Sequence, residues 1–151
     1  MMNGTAIDGI TLLNFDGTLK KQPMLRKYPA EWIDFSDLRG CHGYCGAEAL
    51  RQIGQRLKTR KYRGITLIGN GNYHYVTYLL LAEIRQPFAL VLLDHHPDFA
   101  PGGDAPLLSC GSWVGAALAA LPHLRYVAIV GARPAVLPNT SVIPNRVTVI
   151  S

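Results

Sequence analysis

Between residues 64 and 150 the chain repeats one pattern, a short apolar run followed by a polar stretch and a segment of helical periodicity. The apolar runs are residues 65–68, 88–93, 126–130 and 146–150. The helical segments between and before them are marked by Ala47, Leu50, Ile53 and Leu57, by Val76, Leu79, Leu80 and Ile84, and by the alanine-rich stretch 113–121. Apolar positions three and four apart give a helix one buried stripe, whereas an unbroken apolar run suits a strand covered on both faces. Strands separated by helical segments of ten or more residues predict an α/β fold with a parallel sheet flanked by helices. Residues 10–15 add a strand near the start, and residues 20–44 read as a loop-rich arm. The expected division is therefore an irregular N-terminal arm with one strand (1–44) and an α/β domain (45–151). The sequence stops at Ile150-Ser151, at the end of a buried-type strand with no covering helix after it. A doubly wound domain rarely finishes there, so the expectation is an incomplete domain whose uncovered last strand favours homo-oligomer formation.

Composition narrows the functional classes. Hydrophobic residues make up 48% of the chain and charged residues 17%, enough apolar material for a core. No apolar run approaches the roughly 18 residues that a membrane-spanning helix needs, and the first residues lack the pattern of a secretory signal. Three cysteines, Cys41, Cys45 and Cys110, are too few for a disulfide scaffold and agree with a reducing, cytoplasmic setting. The net charge of +5 owes much to Arg56, Lys58, Arg60, Lys61 and Arg63. That cluster closes a predicted helix, where cations are favoured by the helix dipole, and no nucleic-acid motif accompanies it. The expected partner is a small-molecule substrate, with neither nucleic acid nor membrane.

Two strand ends carry residues suited to metal binding. The run 88–93 leads directly into Asp94-His95-His96-Pro97-Asp98. In an extended chain side chains alternate, so Asp94, His96 and Asp98 are expected on one side and His95 on the other. The run 65–68 leads into Gly69-Asn70-Gly71-Asn72-Tyr73-His74, with His74 opening the next helix. Were the two strands neighbours, about 4.8 Å apart, His74 would come up to the carboxylates without strain. Two carboxylates with imidazoles suit a hard or borderline divalent cation, and a cation relieves the repulsion between Asp94 and Asp98.

These segments resemble the ureohydrolase superfamily (arginase, agmatinase, formiminoglutamase), whose α/β fold is shared with histone deacetylases. Gly71-Asn72-Tyr73-His74-Tyr75 stands where that family has Gly-Gly-Asp-His-Ser, and Asp94-His95-His96-Pro97-Asp98 where it has Asp-Ala-His-x-Asp. Glu31-Trp32-Ile33-Asp34-Phe35-Ser36-Asp37, Gly43-Tyr44-Cys45 and Leu108-Ser109-Cys110-Gly111-Ser112-Trp113 are similar to a divergent bacterial arginase-like group. The likeness runs over about residues 30 to 132. It implies two manganese ions bridged by hydroxide, with His74 and Asp98 on one ion, His96 on the other and Asp94 shared. It also implies hydrolysis of a linear carbon–nitrogen bond in a guanidino, amidine or amide substrate. Cys110-Gly111 falls where arginases carry a His-Gly pair, which makes Cys110 a candidate proton relay; a small buried hydrophobe is the competing reading. The family's later Asp-x-Asp motif is absent from these 151 residues. A non-catalytic metal-binding or assembly module with the same fold is therefore the second expectation.

Two further motifs carry less. Asn14-Phe15-Asp16-Gly17-Thr18 looks like the Asp-x-Asp-Gly-Thr of haloacid dehalogenase-type phosphatases, but an amide at the nucleophile position forms no aspartyl-phosphate. A strand end followed by an Asp-Gly turn is the simpler account. Cys41-His42-Gly43-Tyr44-Cys45 has three zinc-type ligands but no second cluster to complete a structural site. His123, Trp32 and Trp113 read as structural, and Arg133 as a surface residue near a sheet end.

Overall fold

The strand-rich pattern of the sequence becomes two separate three-stranded sheets, both wholly parallel, in a computed structural model that describes residues 9–99, 107–133 and 145–150. In chain order the strands are β1 (Ile10–Asn14), β2 (Ala30–Asp34), β3 (Tyr44–Cys45), β4 (Ile65–Leu67), β5 (Phe88–Leu93), β6 (Leu108–Ser109), β7 (Leu124–Val130) and β8 (Val147–Ile150). The helices are α1 (Ala47–Leu57), α2 (Val76–Leu81) and α3 (Trp113–Ala120). The protein is mixed α/β with parallel sheets and accompanying helices. It divides into two compact units, Met1–Tyr73 and His74–Ser151.

The first unit holds the sheet in the order β2-β1-β4. β1 is central, and all five of its residues are buried, as expected of a strand covered on both faces. β2 is the element that the sequence reading left inside a loop-rich arm. Its sequence, Ala-Glu-Trp-Ile-Asp, lacks an apolar run because it is an edge strand, and its register is set by pairing with β1 from Ile10↔Ala30 to Asn14↔Asp34. β4 pairs with β1, in register from Ile10↔Ile65 to Leu12↔Leu67. α1 buries Ile53 and Leu57, four residues apart on one face. Phe15 stacks on Phe35 and on Tyr73, with ring centroids 4.7 and 4.2 Å apart. The basic cluster is not uniformly solvated: Arg56 grips the Asp37 carboxylate with two bonds of 2.6 Å, and Arg60 is buried.

The second unit holds the sheet in the order β5-β7-β8. Leu92, Leu124, Val127 and Ile129 are buried on it. α2 and α3 pack against each other, and α3 buries Trp113, Val114, Ala117 and Leu118, a stripe with the one- and four-residue spacing of a helix face. No helix among the described residues is long and apolar enough to cross a membrane.

Candidate metal centre

β5 is the element that aims the centre. Its ladder with β7 continues one residue past the strand, through the Asp94 N–H donating to the Val130 carbonyl at 3.1 Å. Asp94 is therefore fixed at the carboxyl end of a parallel strand, where binding sites of such sheets gather. The chain then bends. The Asp94 Oδ1 accepts the His96 backbone N–H at 2.9 Å, a local turn of the kind aspartates favour. Asp98 follows with φ of 51°, the single non-glycine residue in the left-handed region among the described residues. Such a conformation costs about 1 kcal/mol or more and persists where the surroundings enforce it.

Those surroundings are the start of α3. The Asp98 carbonyl accepts the Val114 N–H at 3.2 Å, and its Oδ2 accepts the Trp113 indole N–H at 2.6 Å. Both side chains are buried, so the indole donor and the carboxylate satisfy one another out of water. His74 lies in the first turn leading into α2, with its carbonyl accepting the Thr77 N–H at 3.0 Å. Its Nδ1 is 3.2 Å from Asp98 Oδ2 and 3.4 Å from Asp94 Oδ2, and its ring centroid is 4.9 Å from that of Trp113.

His74, Asp94 and Asp98 thus present one nitrogen and two oxygens, all within 4.8 Å of one another. A divalent ion with bonds of about 2.1 Å separates adjacent ligands by roughly 3.0 to 3.4 Å, from octahedral to tetrahedral geometry. The two nitrogen–oxygen separations fall in that range, and the donor set suits manganese, magnesium or zinc equally in kind. The group could hold one ion.

His96 stands apart from the group. Its side chain is 68% exposed, with Nδ1 3.6 Å from Asp94 Oδ1. Of the expected row of Asp94, His96 and Asp98, the two aspartates join His74 in one group and His96 lies beside Asp94 outside it, after the turn that the Asp94 side chain makes with the His96 N–H. For a second ion, Asp94 and His96 are the ligands at hand, and no second group of three is present among the described residues. His74, Asp94 and Asp98 all come from the second unit. His95 turns to β7, with Nδ1 3.1 Å from the Gly131 carbonyl, while the His95 carbonyl accepts the Arg133 N–H.

Cys110 is a half-buried thiol in the turn before α3 and is not one of the clustered ligand atoms. Cys41 and Cys45 are buried, with Sγ atoms near the Leu38 and Gly46 carbonyls, and form no three-ligand group with His42. At the phosphatase-like motif, the Asn14 amide donates to Asp34 and its oxygen accepts the Gly17 N–H, with Gly17 at φ 79°, which is a strand end closed by a turn. Sequence reasoning passed over Trp113 as a participant. The available signal was its place at the first position of a buried alanine-rich helix, since a buried indole N–H requires an acceptor.

Comparison with known proteins gives one relative, an uncharacterized protein of Thermotoga maritima that is 32% identical over 122 residues. The match takes in 81% of this chain and 48% of that protein, so the chain spans about half the length of the relative it matches. No protein-family model matches the chain, and no solved structure matches it.

Proposed function

We propose that the second unit is a divalent-metal module of the arginase-like kind, with His74, Asp94 and Asp98 as the ligands of one ion. The carrying observation is the convergence of one imidazole and two carboxylates within 4.8 Å at the end of a parallel strand. The likeness of the two motifs to ureohydrolases supports manganese as the ion and hydrolysis of a linear carbon–nitrogen bond as the chemistry of a catalytically complete member. A bound ion there would supply Lewis acidity and lower the pKa of a coordinated water. The chain's own contribution is orientation: the β5–β7 ladder fixes Asp94, and Trp113 fixes Asp98.

The competing reading, a non-catalytic module that binds metal, is favoured by the exposure of His96, which leaves any second ion short of ligands. Manganese titration by calorimetry on the stripped protein, beside Asp94→Ala/Asp98→Ala, decides the matter. One ion per chain, lost in the variant, supports the module; two ions together with turnover of a guanidino or amide compound supports the enzyme. Absence of binding removes both.

A further inference from the structure

The first unit holds eleven of the chain's fifteen lysines and arginines and six of its ten acids, so the whole net charge of +5 lies in it. The fold gathers part of that charge in one place. Two basic stretches, Arg26-Lys27-Tyr28 and Lys58-Thr59-Arg60-Lys61-Tyr62-Arg63, lead into β2 and β4, the strands on either side of β1. Both are tied to the amino end of β1. The Pro29 carbonyl accepts the Ile10 N–H at 2.9 Å, and the Tyr62 carbonyl lies 2.6 Å from the Thr11 hydroxyl. Arg26, Lys27, Lys58 and Lys61 are exposed and have no carboxylate partner among the described residues. The acids of the unit are engaged elsewhere. Glu31 accepts the Tyr62 N–H at 2.8 Å, Asp37 and Glu48 pair with Arg56 and Arg51, and Asp16 and Asp34 accept amides at the carboxyl end of the sheet. Asp8 lies outside the described residues. The second unit has four cations and four acids, two of them in the metal group, so it has no negative charge to spare. The excess is therefore written in the sequence, and anions from outside the chain are what match it.

We propose that the amino end of this sheet is a docking surface for a single-stranded nucleic acid, its phosphates on Arg26, Lys27, Lys58 and Lys61 and a base stacked on Tyr28. A polyanion rewards cations collected from two distant stretches of chain, because each phosphate neutralised releases a condensed counterion. Tyr28 is 56% exposed next to Lys27, and an open aromatic ring among cations takes a base by its face. An anionic membrane is met less well. Pro23–Lys27 is a five-residue 3-10 segment, too short to lay an apolar helix face into lipid. The chemistry recognised is the phosphodiester, common to RNA and DNA. This reverses the expectation of a partner other than nucleic acid, which weighed the stretch 58–63 alone, without the cations that β2 brings beside it.

The test is fluorescence anisotropy of labelled oligothymidine and oligouridine of about twelve nucleotides, within the span of single-strand sites. EDTA in the buffer keeps the metal centre out of the measurement, so the two ideas fail separately. Affinity should fall with salt at a logarithmic slope of about −3, roughly 0.7 for each of the four cations. Arg26→Glu/Lys27→Glu should weaken binding at least tenfold and Lys58→Gln/Lys61→Gln at least threefold, with circular dichroism unchanged. Lys20→Glu/Lys21→Glu makes the same change of charge as the first variant, but Lys20 acts on Asp34 at the carboxyl end of the sheet. Its expected effect is less than threefold. Equal losses from the two charge reversals overturn the proposal by reducing it to net charge, and absence of binding at low salt overturns it outright. Displacement of the oligomers by phosphatidylserine vesicles also overturns it, by assigning the surface to lipid. A preference for one oligomer supports the surface and names RNA or DNA as the source of the phosphodiester.

Discussion

Each unit ends its parallel sheet in a pair of aspartates, and the two pairs are treated in opposite ways. In the first unit, Asp34 accepts the Asn14 amide at 2.8 Å and the Ser36 N–H at 3.0 Å, while Asp16 accepts the Thr18 N–H at 2.9 Å and the Asn70 amide. Amide and backbone N–H groups donate to each of these carboxylates separately. In the second unit, Asp94 and Asp98 converge on a single imidazole. Two carboxylates and one nitrogen in so small a space present the concentrated negative charge and the lone pairs that a cation takes. Aspartates at strand ends are therefore no signal by themselves; what marks the second pair is that both carboxylates approach one nitrogen of His74.

The contrast can be broken most severely at the ligands. Asp94→Ala/Asp98→Ala should lower manganese affinity by at least 100-fold in calorimetry, while Asp16→Ala and Asp34→Ala leave it unchanged; equal losses from both pairs would erase the distinction. Trp113→Phe keeps the ring and removes the donor to Asp98. Loss of a bond that orients a ligand typically weakens metal binding about 10-fold or more, and roughly 10-fold is expected here. His96→Ala should change the affinity of the first ion less than threefold, because His96 lies outside the group; a larger drop would place it on the ion.

The smallest effect concerns the saturated pair. The Asp34 carboxyl is held at about 2, below its ordinary 3.8, by the Ser36 N–H first, then the Ser36 hydroxyl and the Asn14 amide. A depressed folded-state pKa gives stability that is present above the unfolded value and lost as pH falls through the folded one. Denaturant unfolding between pH 4 and pH 2 should therefore show a loss of stability that Asp34→Asn makes shallower. An unchanged slope would mean that these donors do little for the carboxylate in the folded chain.

How far the sequence discloses all this depends on whether a segment's form is decided locally. β5 is legible as a strand from its six consecutive apolar residues, but not in its burial, since Ala89, Val91 and Leu93 are exposed and Leu92 alone is fully buried. α1 and α3 are legible for the same reason, through their stripes of apolar spacing. β2 is hidden, since Glu31, Trp32 and Asp34 carry no alternation and only the register with β1 makes the segment a strand. At the centre, Asp94, Asp98 and His74 can be nominated from residue type and position after a strand. The departure of His96 cannot, because it follows from one side-chain bond to its own backbone N–H and from the handedness of Asp98. Trp113 is hidden by distance along the chain, fifteen residues beyond the carboxylate that it holds.

The bond from Trp113 to Asp98 has an optical consequence. The chain has two tryptophans, Trp32, which is 45% exposed, and Trp113, which is fully buried. An indole in water emits further to the red than an enclosed one, so the two are expected to differ in colour. An ion seated on Asp98 would change the field at the indole whose N–H that carboxylate accepts, so the Trp113 emission would report occupancy. The red component, from the other unit, serves as its internal standard.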